Sequence, residues 1–148
     1  MRPDAHEVFR RYLDAVGLNG VALAEAAGLN TTDWYALSVL EQEGPVTSGL
    51  LAERTGLTTG ATTRLIDRLE RTGHARRTAD PSDRRRVLVE HVPNLDIDAI
   101  VGPARRHLAA VLESYTPDQL DLLFDFFDRA APALHAATAE IRLGSADR

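Results

Sequence analysis

The chain has 148 residues, 26% of them charged, with a formal net charge of −5 and no cysteine. That length fits one domain, or a small domain with appended oligomerisation helices, and the missing cysteines exclude disulfides, thiol nucleophiles and cysteine zinc sites. All 17 basic residues are arginine, so a P-loop, Schiff-base chemistry and a lysine base are excluded as well.

The start, "MRPDAHEVFRRYLD", has no apolar leader core, and no later run approaches ~18 uncharged apolar residues, so a cytoplasmic protein without a membrane partner is expected. Phe9, Leu13, Val16, Gly20, Leu23 and Ala27 follow a 4-3-4-3-4 stride, the seam of a long helix packing on a partner. Gly17 and Gly20 each cost a helix about 1 kcal/mol, which predicts a break near "GLNG". Asn30 or Thr31 caps a second helix, "TTDWYALSVLEQEG", that stops at Gly44-Pro45. A third, "TSGLLAERTG", follows a Thr47 or Ser48 cap and ends at Gly56.

The next stretch, "LTTGATTRLIDRLERTG" over residues 57–73, reads as a helix that opens on threonines and a glycine, all poor helix formers. With Arg64 at the origin of a 100° helical wheel, Gly60, Arg68 and Arg71 fall within about 40° of it. Thr62, Leu65, Ile66 and Leu69 occupy the band between about 100° and 200°. One face is therefore a core stripe and the other an arginine stripe. After Gly73, "HARRTA" and "RRVLVEHV" are strand-like and are separated by the turn "DPSDRR". Helix, turn, helix and hairpin is the order of a winged helix-turn-helix.

The remainder is helical. Ile97, Ile100, Val101, Ala104, Leu108, Val111 and Tyr115 share a face, with a kink or restart expected at Gly102-Pro103. "TPDQ" at 116–119 is a capping box with proline at the first helical position. Leu120, Leu123, Phe127, Ala130 and Leu134 again stride 3-4-3-4, and Pro132 should bend this helix by freeing the Asp128 carbonyl. The expected fold is mainly α with a small β-hairpin wing: an N-terminal dimerisation helix (residues 1–29), a winged helix-turn-helix lobe (30–93), C-terminal dimerisation helices (94–143) and a flexible tail (144–148). Two long apolar seams on so small a chain point to a homodimer.

Charge is distributed unevenly. Between Arg54 and Arg86 nine arginines face four acids (Asp67, Glu70, Asp80 and Asp83), whereas the rest of the chain holds eight arginines against eighteen acids. One segment thus attracts polyanions while the acidic flanks limit indiscriminate binding. A helix entering the major groove brings its first turn to bases and phosphates, so short side chains there allow close approach and free N–H groups attract phosphate. Thr58 or Thr59 caps those amides, beside Gly60. Thr63 and Arg64 are then placed for the groove, Arg64 being suited to a bidentate contact with guanine. Arg68 continues that face, and Thr47 and Ser48 open the preceding helix. The competing reading is a solvated helix whose arginines pair with Asp67 and Glu70. Three arginines at the hairpin tip, Arg84, Arg85 and Arg86, favour DNA, because a narrow minor groove offers them enhanced negative potential. Asp83 either orients the arginine two residues on or forms the turn.

These residues resemble the MarR (multiple antibiotic resistance regulator) family, winged-helix homodimers that respond to small ligands. The likeness covers nearly the whole chain and is densest over "LLAERTGLTTGATTRLIDRLERTGHARRTADPSDRRRVLVE". Ala52 and Gly56 match the small residue and turn glycine of the helix-turn-helix, and Leu65 and Leu69 its core positions. "LERTGHARR" resembles Leu-Glu-x-x-Gly-x-Val-x-Arg, with Arg77 at its arginine, and "DPSDRRR" the wing signature Asp-x-Arg, with Asp83 and Arg85 in those places. Thr62 stands where the family has Val or Ile, its hydroxyl within reach of the Thr58 carbonyl. The usual Leu-Thr-x-x-Gly after the wing is replaced by "VEHVPNLD". The resemblance implies a sequence-specific DNA-binding regulator, more often a repressor, acting on a pseudo-palindromic operator in double-stranded DNA. It also implies a crevice for a small-molecule effector, for which Tyr12, Trp34, Tyr35 and His107 are the candidates. The five histidines show no metal spacing, and neither metal, cofactor nor enzymatic activity is expected. The alternative function is a winged-helix interaction module that docks an acidic partner on its arginines.

Overall fold

The computed structural model describes residues 3–146, and the chain divides into two compact units, one up to Gly102 and one from Pro103 onward. The secondary structure is mainly helical with a small three-stranded antiparallel sheet. None of the described helices is long and apolar enough to cross a membrane.

In the first unit α1 (Ala5–Ala26) runs unbroken through Gly17 and Gly20. The expected break is absent because glycine tolerates helical torsions, and its cost is spread over a helix rich in Ala, Leu, Arg and Glu. Only the C-terminal end of the seam is covered: Ala27 is buried, as is Ala24 beside the seam, while Phe9, Leu13 and Val16 stay exposed. Gly28 takes a left-handed conformation (φ 71°), and the Leu29 N–H donates to the Ala24 carbonyl at 2.9 Å, which closes the helix.

The helices of the lobe start on side-chain caps. In α2 (Thr31–Glu43) Asn30 accepts from the Asp33 N–H at 2.8 Å. In α3 (Ser48–Thr55) Thr47 accepts from Leu50, and in α4 (Thr59–Arg71) Thr58 accepts from Ala61 at 3.3 Å. Each cap satisfies one of the amides that a helix N-terminus leaves unpaired. α4 therefore includes the threonine-rich turn. The core stripe read from the wheel is the buried set of α4: Thr62, Leu65, Ile66 and Leu69. The Thr62 hydroxyl donates to the Thr58 carbonyl at 3.0 Å, so an alcohol at 1% exposure has its partner.

The sheet contains one strand that the sequence does not announce. β1 (Val46–Thr47) joins the hairpin strands β2 (Ala75–Ala79) and β3 (Val87–His91) in the order β1-β3-β2, with Val46 opposite Val89 and Arg77 opposite Val89 on its other side. Two residues are too few for alternation to be read. Val46, Ala75 and Val89 complete a core with Ala36, Leu37, Leu40, Leu51, Leu65, Ile66 and Leu69.

α5 (Ile97–Leu112) starts where Asp96 Oδ1 accepts from the Ala99 N–H at 3.0 Å. It continues through Pro103 rather than restarting there. The Gly102-Pro103 pair instead marks the division between the two compact units. α6 (Pro117–Ala146) begins on the expected capping box, with the Thr116 N–H donating to Gln119 Oε1 at 2.9 Å and the Gln119 N–H to Thr116 Oγ1 at 3.4 Å. It passes Pro132 without ending and reaches Ala146, so the tail expected from residue 144 is helical for its first three residues; residues 147 and 148 lie outside the described ones.

Candidate nucleic-acid interface

The surface of α4 opens with Thr59 and Gly60, both exposed. A Cβ built on Gly60 meets nothing within 4 Å, and its backbone is not left-handed. Neither internal packing nor torsion therefore requires a glycine, although it weakens the helix relative to alanine. The Thr63 hydroxyl donates to the Thr59 carbonyl at 3.0 Å, and Arg64 is exposed one turn along. Thr47 and Ser48 occupy the corresponding position at the start of α3, with the Thr47 hydroxyl used as its cap.

The nine arginines of the basic segment fall into two classes. Five are held by carboxylates. Arg54 bonds Glu43 at 2.5 Å, Arg76 pairs with Glu90 across the hairpin, and Arg86 lies 3.8 Å from Asp80. Arg68 grips Asp33 through Nε (3.0 Å) and Nη2 (2.7 Å). Arg77 bonds Asp67 at 2.8 Å and Glu70 more closely still, while its own N–H donates to Glu70 Oε1 at 2.8 Å. Hydrogen bonding to these acids raises the pKa of Arg54, Arg68 and Arg77 above the ordinary arginine value. The other four, Arg64, Arg71, Arg84 and Arg85, have no carboxylate partner among the described residues and are exposed.

This division alters two site expectations. Arg68 and Arg77 are committed to internal carboxylates, so the acids of α4 are neutralised not by the helix's own arginines but by Arg77 from β2. Asp83 does not hold the Arg85 guanidinium: its Oδ1 accepts from the Arg85 backbone N–H at 3.0 Å, which makes it a turn former. Asp80 supplies the other half of the wing turn. Its N–H donates to the Arg86 carbonyl, and its Oδ1 accepts from the Ser82 hydroxyl (2.6 Å) and N–H (2.8 Å); those two bonds to the charged form, the hydroxyl first, hold its carboxyl below the usual aspartate range. The wing tip is thus a hydrogen-bonded loop presenting two uncommitted guanidinium groups.

Of the effector candidates, Tyr12 on α1 and Tyr35 on α2 are exposed and Trp34 on α2 is half-buried, all in the first unit. His107 is exposed and belongs to the second unit. The residue that sequence reasoning missed is Asp33. A carboxylate in a first turn reads as support for the cap, and nothing local signals its partner 35 positions away.

The profile of the MarR family matches residues 27–86. The chain is 36% identical over 129 residues to the HTH-type transcriptional regulator YcgE of Bacillus subtilis (strain 168), covering 86% of this chain and 84% of that one. Among solved structures, it is similar to a MarR-like transcriptional regulator from Thermotoga maritima (TM-score 0.64, 27% identity, 90% of this chain and 98% of that one). It also shares its fold with a mutant of MepR from S. aureus bound to an oligodeoxyribonucleotide (TM-score 0.60, 15% identity, 88% and 97%). The chain belongs to the MarR family of DNA-binding, helix-turn-helix transcriptional regulators.

Proposed function

We propose that this chain is a homodimeric repressor that binds a pseudo-palindromic operator in cytoplasmic DNA and leaves it when a small molecule binds. The observation that carries the reading is the exposure of Arg64, Arg84 and Arg85 without carboxylate partners among the described residues, in a segment where five other arginines are paired. Unpaired like charges in one short segment repel one another and find their compensation in an external polyanion. Arg64 takes the role of base reader and the wing arginines that of minor-groove or phosphate contacts. Gly60 and Thr59, with Ser48 on α3, supply a surface low enough for the backbone to approach phosphate. The likeness to MepR, a protein seen with an oligodeoxyribonucleotide, supports a duplex as the partner.

Dimerisation is supported by the apolar side chains that one copy leaves exposed on α6, among them Leu122, Phe126 and Leu134. A two-fold dimer reads two half-sites about 10 bp apart. Tyr12, Trp34, Tyr35 and His107 are the first residues to substitute in a search for the effector. Selection of bound duplexes from a random pool at stated salt is the deciding experiment. Enrichment of a palindrome, with an operator-bearing template transcribed less in the protein's presence, is the expected result. Weak, salt-labile binding without enrichment overturns the reading and favours docking of an acidic protein instead.

A further inference from the structure

Asp33 is 4% exposed and its carboxylate is surrounded by donors. Oδ2 accepts from Asn30 Nδ2 (2.9 Å) and Arg68 Nε (3.0 Å), and Oδ1 accepts from Arg68 Nη2 (2.7 Å). Asn30 in turn caps α2 through the Asp33 N–H. The start of α2 and the middle of α4 are thereby joined by a planar, two-point bond, the most directional link an arginine makes. The adjoining face of α4 is held by Leu65, Ile66 and Leu69. Apolar packing of that kind is non-directional and resists a small roll of the helix less sharply than a fork does.

We propose that Asp33 is a positioning residue for DNA recognition. Its grip on Arg68 sets the roll of α4, and with it the direction of Arg64 one turn earlier, and it removes Arg68 from the arginines that engage DNA. This rests on the reading of α4 as the helix that enters the groove. Arg64 and Arg68 stand about 40° apart on the helix, so the direction fixed at one is nearly that of the other. A roll of about 10° moves a group ~6 Å from the axis by ~1 Å, enough to spoil a bidentate base contact. Asp33 also cancels the charge that Arg68 would otherwise offer to phosphate.

The test compares the full chain with Asp33→Asn, Arg68→Gln and the double variant, on the selected duplex and a scrambled one, across a salt series. Each single substitution should weaken selected-duplex binding about tenfold or more; Arg68→Gln should spare the scrambled duplex and leave the slope of log K against log salt unchanged, whereas Asp33→Asn, which frees the Arg68 charge, should tighten the scrambled duplex and steepen the slope by up to about 0.9 per protomer. The double variant should bind no worse than the weaker single one, since both remove the same link. The inference is overturned if Arg68→Gln flattens the slope by about 0.9 per protomer, or if Asp33→Asn binds the selected duplex as tightly as the parent or more tightly. Should Asp33→Asn fail to fold, Arg68→Lys decides: it keeps the charge and loses the fork, so it binds as poorly as Arg68→Gln if Arg68 positions, and like the parent if Arg68 touches phosphate. A parent chain with no preferred duplex overturns the DNA reading itself, whereas a parent with a preferred duplex and strictly additive variants overturns only the role of Asp33.

Discussion

The winged lobe and helix α6 use the same apolar residue types to opposite ends. In the lobe Leu40, Leu51, Leu65 and Leu69 are at most 1% exposed, whereas on α6 Leu122, Ile141 and Leu143 are about 70% exposed and Phe124 and Phe126 more than half. The lobe closes its core within one chain, because three short helices and a sheet surround it from several directions. A single long helix buries a stripe only against another element, and its phenylalanines find one another, edge to face at 6.2 and 5.8 Å, rather than a core. The lobe's fold is therefore a property of the chain, while the final environment of α6 depends on what meets its apolar stripe.

The largest expected effect breaks the comparison at its base. Leu65→Ala should cost the lobe about 2–5 kcal/mol in denaturant unfolding, the transfer term plus a cavity. Leu122→Ala on α6 should leave the lobe within about 0.5 kcal/mol of the parent, yet weaken self-association measured by light scattering across a dilution series. Equal, concentration-independent losses in both would erase the distinction.

Within the lobe, the paired and unpaired arginines should separate next. Arg64→Ala should cost roughly 1–3 kcal/mol and relax base preference at one position of the half-site. Arg84→Ala should act on all duplexes alike and flatten the salt slope by about 0.9 per protomer; binding titrations at several salt concentrations distinguish the two.

A smaller effect has opposite signs for fold and function. Gly60→Ala should stabilise α4 by about 0.5–1 kcal/mol, because the added methyl meets open space, and should weaken DNA binding by holding the backbone off the phosphates. A variant that is both more stable and equally tight would show that nothing approaches Gly60.

The smallest concerns the wing turn and pH. Asp80 has a folded pKa below its ordinary value of 3.8 because Ser82 donates to its charged form. Its contribution is therefore complete above pH 3.8 and is lost as pH falls below that value through the folded pKa. Parent and Asp80→Asn unfolding curves, compared along an acid series, should converge only on that acid side.

Much of the lobe was legible because its signals are local. The caps at Asn30, Thr47 and Thr58, and the Thr62 hydroxyl bond, span only three or four residues. The core stripe of α4 follows from helical periodicity alone. Glycine misled in α1, which runs through the positions expected to break it. Its cost of about 1 kcal/mol decides a helix only when no longer run of good formers offsets it.

What the order of residues determined, then, was where each element starts, which side of α4 is apolar, and that arginines crowd the hairpin and the helix before it. What folding decided was which of those arginines remain available. Arg68 meets Asp33 35 positions away, and Arg77 meets Asp67 and Glu70 from a neighbouring strand. Hydrogen bonds within one helical turn follow from covalent spacing. Charge pairs between elements exist only once hydrophobic packing has set those elements side by side.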